Sequence, residues 1–207
     1  MGRTLIIGGG AIGLSIAYHL AKRGVEDVTL LERNQLTSGT SWHAAGIVGP
    51  LRATPNMTRL ASAALDVFPA LEAETGMSTG YRRTTGYWLA RDPNRLDELH
   101  RIADLGQAQG LNPKMIGACD VPLPQLNLQD HVGALFVPED ANANPVDLCM
   151  AYAKGARNRG VKILENTGVM ALRQVDGRIV GVTLTDGSEL DAEQVVLATG
   201  AWSRELA

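Results

Sequence analysis

The stretch TLIIGGGAIGLSIAYHLAKRGVEDVTLLE, residues 4–32, decides the fold. Thr4–Ile7 is apolar and largely β-branched, as a short buried strand requires. Gly8, Gly10 and Gly13 follow in GxGxxG spacing. From Ala11 to Arg23, Ile12, Ile16 and Leu20 recur every four positions, which predicts a helix with that stripe on one face. Gly24 ends the helix, since a left-handed cap strains glycine least. Val28–Leu31 is a second strand and closes on Glu32. In such a strand–helix–strand unit Gly8 permits the tight turn, Gly10 lets backbone approach a pyrophosphate, and Gly13 lets the helix lie close on the sheet. The amides at the start of the helix, Ala11 among them, face the phosphates. Glu32 is placed to accept hydrogen bonds from a ribose 2′-hydroxyl. NAD and FAD both fit this cradle; the acid disfavours only a 2′-phosphate.

The rest of the composition narrows the class by exclusion. The 207 residues are 45% hydrophobic, enough for a sizeable core. The 19 basic and 22 acidic residues are evenly spread, so neither a nucleic-acid nor a membrane footprint is expected. Residues 1–21 begin with a positive charge and an apolar run, but three consecutive glycines make a poor signal helix. No transmembrane segment is predicted. Cys119 and Cys149 match no metal or redox spacing and suit a reducing compartment, so the expected location is cytoplasmic and no metal site is expected.

Beyond the cradle, Leu60, Ala64, Leu65, Phe68 and Leu71 predict a core-facing helical stripe within 57–74. Residues 81–90 read as one strand, 93–109 as a helix opened by Asp92-Pro93, 111–130 as loop, and 133–137 as a strand. Asn144-Pro145-Val146-Asp147 is a helix start, with Asn144 as the cap, and that helix runs to about Arg159. Strands follow at 161–164, 169–175, 179–185 and 195–199, with hairpin turns at Asp176-Gly177 and Asp186-Gly187. The last strand leads into Ala198-Thr199-Gly200, small residues at the carboxyl edge of a parallel sheet, where ligands bind in open α/β folds.

One loop is more specific. Residues 39–49, GTSWHAAGIVG, are mostly small yet hold Trp42 and His43 side by side. Taken with the cradle, SGTSWHAAG at 38–46, VPEDANANP at 137–145 and VVLATGAW at 195–202, the chain resembles the D-amino-acid-oxidase-type flavoproteins, and among them the sarcosine and dimethylglycine dehydrogenases. The resemblance runs through essentially all of residues 1–207. It implies an α/β fold: a Rossmann-like FAD-binding domain of glutathione-reductase type, with part of an antiparallel-sheet substrate domain reached by an excursion at about 77–138.

It also implies that, in the full-length enzyme, His43 is joined covalently to FAD through the flavin's 8α-methyl carbon. Ile12 and Gly13 would then contact the pyrophosphate, and Glu32 and Arg33 the ribose and adenine. Thr40, Ser41 and Trp42 would line the flavin's path, Ile47 would lie beneath it, and Val169 would meet the adenine through its backbone. The implied reaction is oxidation of the N-methyl group of a small N-methylated amino acid, sarcosine or dimethylglycine, by hydride transfer to flavin. Oxygen or an electron-transfer protein would take the electrons, and no acid–base pair among these residues is assigned a catalytic role. The competing readings are an FAD-binding module without activity of its own and an NAD-dependent dehydrogenase. Two departures from the family pattern stand out. Asp140-Ala141 replaces the usual Asp-Gly, which puts the local turn in question. The family's substrate-clamping region also lies beyond the ATG strand, so the expectation is an N-terminal portion, inactive alone.

Overall fold

The computed structural model describes residues 2–206. In chain order its elements begin with β1 (Thr4–Ile7), α1 (Ala11–Lys22), β2 (Val28–Leu31), β3 (Ile47–Val48), α2 (Pro55–Ser62) and α3 (Ala64–Thr75). Next come β4 (Arg82–Arg83), β5 (Gly86–Ala90), α4 (Pro93–Ala108), β6 (Lys114–Ile116), β7 (Gly133–Val137), β8 (Ala141–Asn142) and α5 (Pro145–Arg157). The last are β9 (Lys162–Leu164), β10 (Val169–Val175), β11 (Arg178–Leu184), β12 (Glu189–Asp191), β13 (Gln194–Leu197) and α6 (Ser203–Leu206). They form two compact units, Met1–Ala45 with Leu71–Thr79 and Asn144–Ala207, and Gly46–Ala70 with Gly80–Ala143.

The first unit is built on a parallel sheet in the order β13-β1-β2-β9. β1 and β2 are buried along their whole length, which is why both read as continuous apolar runs. On one side, Leu5, Ile7 and Leu31 pack against Val182 and Leu184 of an antiparallel meander, β10-β11-β12. Asp176 and Gly177 join β10 to β11 with φ of 49° and 77°, the left-handed pair of a type I′ turn. The second hairpin differs from expectation. Its outgoing strand is β12, which no sequence signal marked, while the strand at 195–199 takes the place in the parallel sheet expected of it, beside β1. A three-residue strand shows almost no alternation, so only its pairing reveals it.

Helix α1, which packs on α5, buries a face that the four-residue spacing did not pick. Its buried residues are Gly13, Leu14, Ala17 and Tyr18, whereas Ile12 is 67% exposed. Tyr18 lies against Gly155, where an added Cβ would come within 2.8 Å of the ring. Its hydroxyl donates to Glu74 Oε2 at 2.8 Å, Lys22 Nζ reaches the same oxygen at 3.3 Å, and Arg159 pairs with Glu74 Oε1. Burial pushes the Glu74 carboxyl up, but the Tyr18, Arg159 and Lys22 hydrogen bonds outweigh it and hold the group below its ordinary value. A carboxyl depressed in the folded state stabilises above its unfolded pKa, and the stabilisation disappears as pH falls through the folded value. Glu74→Gln is therefore expected to lower the urea midpoint at pH 7, with the gap to the native chain closing on acidification below about pH 4, near the unfolded glutamate value. A gap that stays constant down to pH 3 would deny the carboxylate this role.

The second unit holds two small antiparallel sheets, β3-β8-β4 and β5-β7-β6. Its core gathers Leu51, Leu99, Ala103, Leu135 and Val137, with α4 lying on the second sheet. α4 starts where Asp92-Pro93 predicts, the Asp92 side chain accepting the Arg95 amide at 3.0 Å. The expected strand at 81–90 is two strands, because Thr85 takes φ of 65° and the Thr84 and Thr85 amides both turn to the Asp140 carbonyl. Residues 111–130, read as loop, contain β6. The helical stripe at 57–74 is divided between α2 and α3; Leu65 and Leu71 are buried, but Leu60 is 69% exposed. Ala141, in the place of the family's usual glycine, is buried and extended in β8, a conformation that tolerates a side chain.

Candidate functional site

The carboxyl ends of β1, β2 and β13 surround a cavity of about 750 Å³, wholly within the first unit. Its position follows from the sheet order. The chain leaves β1 for β2 on one side, and β13 closes on the other, so the loops after β1 and β13 part and leave a crevice at the strand ends. Gly8, Gly10, Ala11 and Ile12 form one wall, and the exposure of Ile12 is exposure to this cavity. Ala198 and Gly200 border it from the β13 edge, and Val169 from the start of β10.

The glycine turn has no room for side chains. A Cβ on Gly13 would overlap the Gly8 carbonyl oxygen, and one on Gly8, whose φ is +115°, would meet the Ala198 oxygen at 2.5 Å. Backbone amides are therefore what the turn presents, together with the N-terminus of a twelve-residue helix, α1. Gly10, at the N-cap position, has no side chain to close that end. Ser41 does so from a distance: its Oγ accepts the Ala11 amide at 3.0 Å.

Glu32 also lines the cavity, and its carboxylate is already engaged. One oxygen accepts the Gly9 amide at 2.6 Å and the other the Asn34 amide at 3.0 Å. The acid therefore holds the glycine turn in shape, a role that its place at a strand end does not reveal, and each oxygen keeps a lone pair for a ligand hydroxyl. Its neighbour Arg33 lies over the Trp202 ring, 4.4 Å from guanidinium carbon to centroid, and both line the cavity. No role for Trp202 follows from the sequence motifs alone. An aromatic two residues past Gly200, in the ATGAW stretch, is the signal that was available.

The loop at 39–49 has two faces. Thr40, Ser41 and Ala44 line the cavity; Trp42 and His43 do not. Residues 41–43 form a single 3₁₀ turn that sends Ser41 inward and leaves its other two side chains exposed. Trp42 and His43 lie ring against ring, centroids 3.7 Å apart and planes 36° apart. Ile47 belongs to the second unit, on β3, and is 73% exposed.

A parallel sheet with a glycine turn at a helix N-terminus, an acid at the end of the next strand and a cavity at the switch point defines a dinucleotide-binding domain. Residues 3–207 match the family of FAD dependent oxidoreductases abbreviated DAO, and the chain belongs to that family. It is 40% identical over 207 residues to 4-methylaminobutanoate oxidase (formaldehyde-forming) of Paenarthrobacter nicotinovorans, a match covering 99% of this chain and 25% of that protein. It is 36% identical to human mitochondrial sarcosine dehydrogenase, with 97% of this chain and 22% of that protein covered. Among solved structures, L-proline dehydrogenase from P. horikoshii superposes with a TM-score of 0.92 at 27% identity, covering 99% of this chain and 54% of that one. The chain thus spans about a quarter of the length of these two curated relatives. Among the described residues no cluster of potential metal ligands occurs, and no helix is long and apolar enough to cross a membrane.

Proposed function

We propose that the cavity holds FAD and that the protein oxidises the N-methyl group of a small N-methylated amino acid, of the sarcosine or dimethylglycine kind. The observation that carries the reading is the Gly8–Gly13 turn, where side chains are sterically excluded beside a helix N-terminus at the cavity wall. Gly8, Gly10, Ala11, Ile12 and Gly13 hold the pyrophosphate; Glu32 takes the ribose hydroxyls; Arg33 and the Val169 backbone flank the adenine. Ala198 and Gly200 give close approach at the strand edge. Thr40, Ser41 and Trp42 serve the flavin end, and His43, between the wall residues Ser41 and Ala44, is the point of covalent attachment. FAD, when bound, supplies a two-electron oxidant for the carbon–nitrogen bond. Oxidation at the N-methyl carbon leaves an iminium, which water hydrolyses to formaldehyde and the demethylated amine. The chain's part is to bind, orient and shield. The second unit, overlapping the excursion at 77–138, belongs to the substrate side, and the electrons pass to oxygen or to an electron-transfer protein. Support for the substrate class comes from relatives whose names specify sarcosine dehydrogenase and a formaldehyde-forming methylamino-acid oxidase.

The test is a titration of the purified chain with FAD and, separately, with NADH. FAD is expected to bind, and Glu32→Ala to weaken it by about 1.5–3 kcal/mol, roughly 10- to 150-fold, the range for a charge-assisted hydrogen bond. The same variant should unfold more easily, since the Gly9 and Asn34 amides lose their acceptor. NADH binding without FAD binding would overturn the reading.

A further inference from the structure

In the first unit, the segment that follows β2 is fastened to the glycine turn. Glu32 Oε2 accepts the Gly9 amide at 2.6 Å, and the Thr37 amide donates to the Gly9 carbonyl at 3.0 Å. Buried Leu36 lies over the same glycine, where an added Cβ would come within 2.6 Å of its Cδ2. This fit demands an unfavourable backbone. Thr37 is buried at φ +69°, in the left-handed region that a β-branched residue rarely adopts. Such a conformation persists only where its surroundings impose it. One restraint is the Thr37 bond to Gly9. The other is Glu165, just past β9, whose Oε2 accepts the Leu36 amide at 2.9 Å while Oε1 pairs with Arg157 at 3.3 Å. Glu32, Arg33 and Asn34 on this segment line the cofactor cavity, and Glu165 does not.

We infer that Glu165 is a positioning residue for this cavity: by holding the Leu36 amide it keeps Thr37 in its left-handed turn, and with it the segment from Glu32 to Thr37 against Gly9. Without that acceptor Thr37 relaxes to negative φ and its amide leaves the Gly9 carbonyl. The glycine turn and the wall formed by Glu32, Arg33 and Asn34 then lose their common support. The inference rests on the reading of the cavity as an FAD site.

The alternative is that Glu165 serves only as the partner of Arg157 in a surface ion pair, which contributes little. Two substitutions separate the readings. Glutamine keeps an acceptor for the Leu36 amide while giving up the charge. Glycine at position 37 takes a positive φ without strain, so the turn no longer depends on Glu165. The experiment uses the whole 207-residue chain as E165A, E165Q, R157A, T37G and the T37G E165A double variant, titrated with FAD. E165A is expected to weaken FAD binding about tenfold, the effect of one lost hydrogen bond, while E165Q and R157A stay within about twofold of the native chain. In the T37G background E165A should change the affinity by no more than about twofold. Native affinity in E165A, an equal loss in E165Q, or the same effect of E165A in both backgrounds overturns the inference. The variants are also read without cofactor, by hydrogen exchange of the Gly9 amide relative to that of Leu30, fully buried on β2. A general loss of stability speeds both amides alike, whereas the loosened segment speeds Gly9 alone, by about tenfold in E165A, and leaves the ratio native in E165Q. A chain that takes up no FAD refutes the functional reading, and this ratio still judges Glu165. Should E165A not fold, the double variant decides: folded with a native ratio it supports the inference, and unfolded it overturns it.

Discussion

Gly13→Ala is expected to cost about 3 kcal/mol or more of folding stability, at the upper end of overpacking effects, and to abolish dinucleotide uptake. The added methyl would overlap the carbonyl oxygen of Gly8. That obstacle is backbone, so no side chain can rotate away. Gly8 cannot retreat either: it sits at φ +115° against the Ala198 carbonyl, its amide donates to Leu31 at 2.8 Å, and the Ala198 amide donates to Ile7 at 2.8 Å. Relief therefore requires moving α1 off the sheet or disturbing the pairing of β1 with β2 and β13. Either opens the tightest part of the core, where Leu5, Ile6, Leu14 and Leu30 are all fully buried. A urea melt of the variant checks this. A native midpoint together with native FAD affinity would mean that the turn has slack not visible in its geometry.

His43→Ala is expected to have the opposite profile, with a large effect on the cofactor linkage and almost none on the fold. The side chain is exposed and outside the cavity lining, and its one ring partner, Trp42, is itself 56% exposed. Substitutions at such positions usually change stability by less than about 0.5 kcal/mol. After incubation with FAD and acid precipitation, the native chain should keep its flavin in the pellet, whereas the variant should release all of it to the supernatant. Binding before acid treatment should survive, because the glycine turn, the α1 N-terminus and Glu32 are untouched. Peptide mass spectrometry of flavin-loaded native protein is the direct check. An unmodified His43 peptide there would remove the covalent link from the proposal and leave the cradle standing.

These two expectations mark how far the sequence could be read. The β1–α1–β2 unit, the Asn144 cap of α5, the Asp92-Pro93 start of α4 and the Asp176-Gly177 hairpin were all legible, and each is present. In each case the signal and the structure it produces lie within a few residues of each other. A glycine that must take a positive φ, a side chain that caps its own helix, and a proline at a first turn act through local sterics and short hydrogen bonds. The family could be read because its motifs are of this local kind.

What the tertiary structure alone decided is which faces meet. Spacing put Ile12, Ile16 and Leu20 on one face of α1, but tertiary packing buries Leu14, Ala17 and Tyr18 and leaves Ile12 to the cavity. The strand after the second hairpin could have been β13; instead β13 joins β1 in the parallel sheet and the short β12 completes the meander. Glu32 was legible as an acid at a strand end, but not as the acceptor that braces the Gly9 amide, nor Ser41 as the distant cap of α1. These pairings join residues 23 and 30 positions apart. Their energies come from contacts that exist only after the chain has folded back on itself. The sequence by itself determined the local conformations and the class of ligand cradle; the assembled sheet decided which buried groups satisfy one another around it.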